Sequence, residues 1–454
     1  MSATRIRGAC PTLAVPMATG DGLLARLHAP TNGLAPTALA GLAEAVQAHG
    51  NGIVEVTARG SLQIRGLSDE SASRLAKAVD GLNIEVRTGV PVDAPPLAGL
   101  DPHEIADPHP LARTIRQGIV KIGLEGRLAP KVTVIVDGGG ALHLADVAAD
   151  LRLMAENRDS RIVWNLALAG SAADAAGIAA LADNDTPTAV LRLLEAIAAR
   201  GRTARARDLD GPATEAALRG LPVAPFRRSQ ANRAPRPVGL HPLANGGAAL
   251  GVGLAYGQAA ATDLRALAQT ASALGIESVR SAPGRAMLFL CPRADIAKYL
   301  KDASKDIGFI VDSNDRRLSI TACAGAPACR SAHLATKPLA ARLLADAPQL
   351  FDGSMRLHLS GCSKRCAAPQ NADVTLIGGE DAPVIETQDG ERRELTGKVA
   401  EDAILAVFRR AATDYTDQRN PRQSAVAALK RAALGNASDD DERPIGPYVH
   451  QEGK

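Results

Sequence analysis

The chain has 454 residues, 46% of them hydrophobic and 22% charged, with a formal net charge of +3. Such a length exceeds one hydrophobic core and calls for several domains. Aromatic residues make up 2%, too few for the stacking surfaces that hold single-stranded nucleic acid, and the small net charge announces no nucleic-acid partner. No run of about 18 apolar residues predicts a membrane helix. No apolar stretch follows Met1–Arg5 as in a secretory signal, so a cytoplasmic chain with reduced thiols and no membrane partner is expected.

In chain order, Leu23–Leu27 follows a glycine turn and reads as a strand. Leu39, Leu42, Ala43 and Val46 then recur at helical spacing, with Thr37 as the expected cap and Gly50 as the stop. Ile53–Thr57 and Leu62–Arg65 read as two strands around Ala58–Ser61. The same order of strand, helix, stop glycine and hairpin returns about 225 residues later. There Gly251–Ala255 is followed by Thr262 before Leu264, Leu267, Ala268 and Ala271, then Gly275, Ser281–Gly284 and Ala286–Leu290. A duplicated half-molecule is predicted.

Between the copies, Lys131–Val136 reads as a buried strand ending at Asp137-Gly138-Gly139-Gly140, a tight turn rather than a phosphate cradle because no G-K-[ST] follows. Strands over Leu142–Leu144 and Arg161–Leu168 and helices to Ala199 follow, and the Arg- and Pro-rich stretch 202–237 reads as a linker. Gly251, Gly253 and Gly257 have G-x-G-x3-G spacing, which is not the dinucleotide fingerprint. Beyond the second copy, Cys329 is expected to open a helix to about Ala345 that Pro338 kinks, and Met355–Leu359 and Asp373–Gly378 read as strands.

Four of the six cysteines stand as Cys323, Cys329, Cys362 and Cys366, spaced C-x5-C-x32-C-x3-C among small residues. Two close pairs of thiolates suit a [4Fe–4S] cluster; zinc prefers C-x2-4-C pairs, and unliganded buried thiols are the third reading. Cys10 and Cys291 read as buried small hydrophobes. Asp101, His103, Glu104, Asp107 and His109 offer nitrogen and carboxylate ligands in one segment, but their prolines favour a surface loop. His333 and His358 beside the cysteines read as packed, hydrogen-bonded histidines.

With the cysteine spacing and the repeat in view, the chain resembles the sulfite and nitrite reductase superfamily, whose cluster motif is C-x5-C…C-x3-C. The resemblance implies an α+β fold of duplicated nitrite/sulfite reductase-like halves, each a ferredoxin-like unit plus an α/β unit that binds the iron–sulfur cluster or a tetrapyrrole. The implied division is 1–95 and 238–305 for the ferredoxin-like units, 96–205 and 306–430 for the α/β units, 206–237 for the linker and 431–454 for a disordered acidic tail. It makes Cys323, Cys329, Cys362 and Cys366 the cluster ligands, the last of which bridges to a siroheme iron in those enzymes. Thr57-Ala58-Arg59 and Gln63 resemble the family's T-x-R-Q-x-x-Q segment, Arg26 matches an arginine of the preceding strand, and Lys131 matches one lysine of an anion-binding pair. Arg26, Arg59, Gln63 and Lys131 are thereby implied as substrate-binding.

The departures are specific. The family's glutamine after the arginine is Gly60, its second lysine falls at Thr133, and a further arginine falls near Val90-Pro91. A reductase that feeds six electrons to an oxyanion needs several cations on its distal face. The Gly8–Pro11, Met17–Leu24, Pro96–Pro102 and Ser360–Pro369 stretches resemble one branch of the superfamily more closely, the precorrin-3B synthases. That branch implies precorrin-3A and dioxygen as substrates, an electron donor (NADH or a reductase), a [4Fe–4S] cluster, a mononuclear non-haem iron of unknown ligands, no permanent siroheme, and a monomer. The implied reaction is hydroxylation at C20 with closure of a lactone from the ring-A acetate. A siroheme sulfite or nitrite reductase and an iron–sulfur electron carrier are the alternatives.

Overall fold

Period-two alternation builds the first sheet. In the strand Gly22–Leu27 (β2), Leu23, Ala25 and Leu27 are buried in the core, and Met17–Thr19 (β1) pairs along its edge. The helix Pro36–His49 (α1) follows, then the strands Ile53–Val56 (β3) and Leu62–Leu67 (β4) and the helix Asp69–Gly81 (α2). The structure, a computed structural model, describes residues 11–228, 236–369, 372–395, 400–417 and 424–434; Cys10 and most of the expected acidic tail lie outside them. The chain divides into two compact units, one of residues 1–18, 23–254 and 258–311, the other of residues 19–22, 255–257 and 312–454.

In the first unit a six-stranded sheet comes next. Val92–Asp93 (β5), Val134–Asp137 (β6) and Ala149–Arg158 (β7) run parallel, and Arg161–Gly170 (β8), Ala176–Ala182 (β9) and Val223–Ala224 (β10) continue the sheet antiparallel. The helices His109–Lys121 (α3) and Thr186–Ala199 (α4) cover it with Leu111, Ile115, Ile119, Val190, Leu193 and Ile197, all buried. Residues 206–224, expected as linker, fold instead. Asp210 caps the helix Gly211–Leu218 (α5) by accepting from Ala213 N at 2.8 Å, and β10 pairs with β9. Arg205 grips the buried Asp150 through two hydrogen bonds of 2.8 and 2.7 Å, while Thr133 N and Ala206 N donate to the same carboxylate.

The second repeat then forms: Gly239–Pro242 (β11), Ala248–Gly253 (β12), Gln258–Ala260 (β13), Ala261–Ala273 (α6), Ser278–Ala282 (β14), Ala286–Cys291 (β15) and Ala294–Ile307 (α7). The orders β2-β4-β3 and β12-β15-β14 are the same, so the halves are duplicated as expected. They share one core, in which α1 packs on α6 through Leu39, Leu42, Val46, Leu264, Leu267 and Ala271. Each half also lends backbone to the other: β13 adds to β3, and Leu34 bridges Val279. Neither expected cap is used. Thr37 and Thr262 lie inside their helices; Pro36 opens α1 without an N–H to satisfy, and Ala261 N donates to Gly52 O at 2.8 Å.

In the second unit, Ile320–Ala322 (β16), Leu357–Ser360 (β17) and Val374–Ile377 (β18) are parallel, and Val384–Thr387 (β19) and Arg392–Glu394 (β20) extend them antiparallel. Thr336–Asp346 (α8), Ala400–Asp417 (α9) and Ala425–Leu434 (α10) pack over an aliphatic core with Phe351 and Phe408 stacked at 6.4 Å. Cys329 does not open a helix; residues 329–335 are turns, and Pro338 sits in the first turn of α8, where a missing N–H costs nothing. Residues 431–434, expected in the tail, end α10. Among the described residues no helix is long and apolar enough to cross a membrane.

Candidate functional site

The cysteine loops leave the carboxyl ends of two neighbouring parallel strands, the place where open α/β sheets hold ligands. Ala322 of β16 pairs with Leu359 of β17, so Cys323 emerges beside Ser360, with Cys362 two residues beyond it. Cys323 N donates to Leu359 O at 3.1 Å, and Gly361 N donates to Cys323 Sγ at 3.1 Å. Burial pushes the Cys323 thiol up, the amides of Gly361 and Gly325 oppose this, and the sulfurs of Cys362 and Cys329 stand close enough to push the same way as burial.

Glycine lets these loops close. Gly325 has φ +67°, and a side chain there would strike Thr336; a methyl on Gly361 would lie 2.6 Å from Ala332 Cβ. His333 N donates to Gly361 O at 2.7 Å and Ser360 Oγ to Cys362 O at 2.7 Å, tying the two loops to each other and to their strands. Cys366 is exposed at the rim, next to Arg365, whose guanidinium is held by Glu386 at 2.7 and 2.5 Å. Amides that donate to the Cys323 sulfur and glycine-lined walls suit thiolates bound to an iron–sulfur cluster. His333 is exposed, and His358 is buried on β17. Among the described residues no group of three or more His, Cys, Asp or Glu is disposed around a single metal ion.

A polar row crosses the first sheet. By register Arg26 (β2) faces Gln63 (β4), Gln63 faces Glu55 (β3), and Glu55 faces Gln258 (β13). Their side chains connect in that order: Arg26 Nη2 donates to Gln63 Oε1 at 2.9 Å, and Gln63 Nε2 and Gln258 Nε2 donate to the two oxygens of Glu55. Arg65 lies 4.0 Å from Glu55. Burial lowers the pKa of Arg285, and the Glu55 carboxylate opposes that. Two guanidiniums, Arg65 and Arg285, therefore act on the Glu55 carboxylate, and a third, Arg26, reaches the row through Gln63; Glu55, Gln63 and Arg65 are buried. Sequence reasoning found Arg26 and Gln63 but missed Glu55, Arg65, Gln258 and Arg285. Glu55 and Arg65 are polar residues between the apolar Val54, Val56 and Ile64, a signal that was readable; Gln258 and Arg285 come from the other half and were not.

The equivalent row of the second half is Gly251, Leu288 and Arg280. Leu288 is covered by Leu97 and Leu142, and Arg280 donates to Pro96 O and Ala98 O at 3.0 and 3.2 Å. The duplication has kept one polar face and filled the other. Gly251 and Gly253 lie within β12, and no turn for a phosphate forms there.

Arg59 is exposed and donates to Ala148 O at 2.6 Å and Thr133 Oγ1 at 3.4 Å; Lys131 is exposed two residues away. Arg26 with Gln63, and Arg59 with Thr133 and Ala148, are thus two separate hydrogen-bonded groups. Gly60, where the family has glutamine, has φ +83° and would press a side chain to 3.0 Å from the backbone of Ala282. The segment expected as a surface loop is partly buried: Asp101 accepts from His103 N and Ala141 N, and Asp137 turns back on Gly139 N and Leu144 N. Burial, with Asp107, Asp101 and Asp137 nearby, pushes Glu104 up to about 7, while Gly99 N opposes it. Burial likewise pushes the Cys291 thiol up to about 11, as its reading as a small hydrophobe requires.

Residues 15–82 match the family model of the nitrite/sulfite reductase ferredoxin-like half domain. The chain is 39% identical over 436 residues to a precorrin-3B synthase of Sinorhizobium sp, covering 95% of this chain and 94% of that protein. It is 24% identical over 421 residues to a ferredoxin–nitrite reductase of Synechococcus elongatus, covering 85% and 82%. The solved structure of the Mycobacterium tuberculosis NirA protein superposes with a TM-score of 0.71 at 18% identity, over 90% of this chain and 83% of that one, a likeness of fold.

Proposed function

The chain belongs to the precorrin-3B synthase family, and from that premise we propose that it converts precorrin-3A to precorrin-3B with dioxygen, hydroxylating C20 and closing a lactone from the ring-A acetate. One oxygen atom enters the product and the other leaves as water, with two electrons and two protons from a donor, NADH or a reductase. The observation that carries this reading is the likeness over nearly the full length of both chains. Cys323, Cys329, Cys362 and Cys366 hold a [4Fe–4S] cluster, which supplies single-electron transfer when bound. A mononuclear non-haem iron is part of the proposal, with its ligands unassigned. Siroheme has no permanent place, since Gly60 and Thr133 stand where the reductases have glutamine and lysine. The chain acts as a cytoplasmic monomer, with the domain limits given above apart from the linker and tail.

The substrate carries several acetates and propionates, all ionised at neutral pH because their unperturbed pKa values lie near 4. Fixed guanidiniums grip such groups with paired, charge-assisted hydrogen bonds. Arg26, oriented by Gln63, and Arg59, oriented by Ala148 O, are the proposed grips, with Lys131 at the edge. They hold and orient the macrocycle. Anaerobic absorbance titration with precorrin-3A tests the assignment. Arg26→Ala and Arg59→Ala should each weaken binding about ten- to hundredfold, the equivalent of about 1.5–3 kcal/mol, with iron and sulfide content unchanged. Parental affinity in both variants would remove the basic wall.

A further inference from the structure

The turn Thr19–Gly22 lies in the second compact unit, beside the loop of Cys329. Arg330 N donates to Gly20 O at 3.1 Å, so the turn is pinned to the residue that follows the cysteine. A methyl on Gly20 would stand 2.5 Å from Cys329 Sγ and 3.2 Å from both the nitrogen and the hydroxyl of Ser331. Thr19 Oγ1 sets the turn by donating to Asp21 Oδ1 at 2.7 Å and Gly22 O at 2.8 Å. Ser331 Oγ in turn accepts from Lys364 Nζ at 3.0 Å, which links this loop to that of Cys362 and Cys366.

We propose that Gly20 is a positioning residue of the cluster site: its bare backbone forms the wall against the Cys329 sulfur, and a side chain there displaces the sulfur from the iron it binds. The inference rests on the assignment of the four cysteines to a cluster. Gly20 does not have positive φ, so alanine suits its backbone. In the iron-free chain the Cys329 thiol is the free end of a side chain and swings aside, leaving only the 3.2 Å approach to Ser331, which a shift of a few tenths of an ångström relieves in either form. In the loaded chain the same sulfur is tethered and cannot swing aside. Gly361 differs, because a methyl there meets Ala332 Cβ at 2.6 Å whether or not iron is bound.

The test compares the parent, Gly20→Ala, Gly361→Ala and the neutral control Gly81→Ala, where nothing lies within 4 Å. Iron and sulfide per chain, the rate of cluster bleaching by a chelator, and thermal unfolding after complete iron removal are read for each. Gly20→Ala should unfold like the parent when iron-free yet lose its cluster to chelator about tenfold faster, a barrier to loss lower by about 1.4 kcal/mol. Gly361→Ala should be destabilised in both forms and Gly81→Ala in neither. Parental bleaching in Gly20→Ala, or a fall in its iron-free stability like that of Gly361→Ala, overturns the proposal. A parent without iron and sulfide removes the cluster reading itself and this inference with it.

Discussion

Glu104 illustrates what a single side chain contributes. Its pKa in the folded chain, about 7, lies above the ordinary 4.5. The folded state therefore keeps a proton that the unfolded chain releases between those values, and stability from this group falls as pH rises from about 4.5 to about 7. Glu104→Gln removes the titration and keeps an oxygen for Gly99 N. Denaturant unfolding should show the variant more stable than the parent at pH 8, with the difference vanishing near pH 4; a constant difference would contradict the assignment. The sequence offered Glu104 only as one of several carboxylates in a loop; its raised pKa was not legible, because it comes first from burial and then from Asp107, Asp101 and the distant Asp137. The cysteines were legible for the opposite reason: their spacing is local and their chemistry demands it.

At the scale of elements, the first helix and the hairpin of each repeat were legible because apolar residues recur at 3.6 and 2, and that periodicity survives any tertiary context; the helices α2 and α7 were not read. The starts of the first helices were not legible, since Pro36 opens α1 without an N–H to satisfy and Gly52 O of the other half accepts from Ala261 N at the start of α6. The segment after Ala199 was misread because arginine and proline suggest a linker, whereas Arg205 is spent on the buried Asp150 and Asp210-Gly211-Pro212 is a helix start. Asp150→Ala would leave Arg205, Thr133 N and Ala206 N without their acceptor and should destabilise the first unit by about 3–5 kcal/mol. Limited proteolysis should then cut near Arg205 and Arg207 faster than in the parent. Within the shared core, Leu267→Ala, at a fully buried position between α1 and α6, should cost about 2–5 kcal/mol in denaturant unfolding.

For the whole molecule, duplication followed by divergence explains how one fold came to present a single charged face. Both halves keep the βαββα order, but only the first carries Arg26, Gln63 and Glu55 across its sheet, and the second lends it Gln258 and Arg285. The row joins residues 203 apart in sequence, so strand register had to be known before it could be seen. The cysteine loops sit in the other compact unit, after the parallel strands β16 and β17. The central claim is that this chain oxygenates precorrin-3A, and turnover under 18O2 tests it most directly. With an electron donor supplied, mass spectrometry of the product should show one oxygen atom from labelled dioxygen in a hydroxylated, lactone-bearing precorrin, and no such product without dioxygen. The same product formed anaerobically, or formed in labelled dioxygen without the label, would contradict the account.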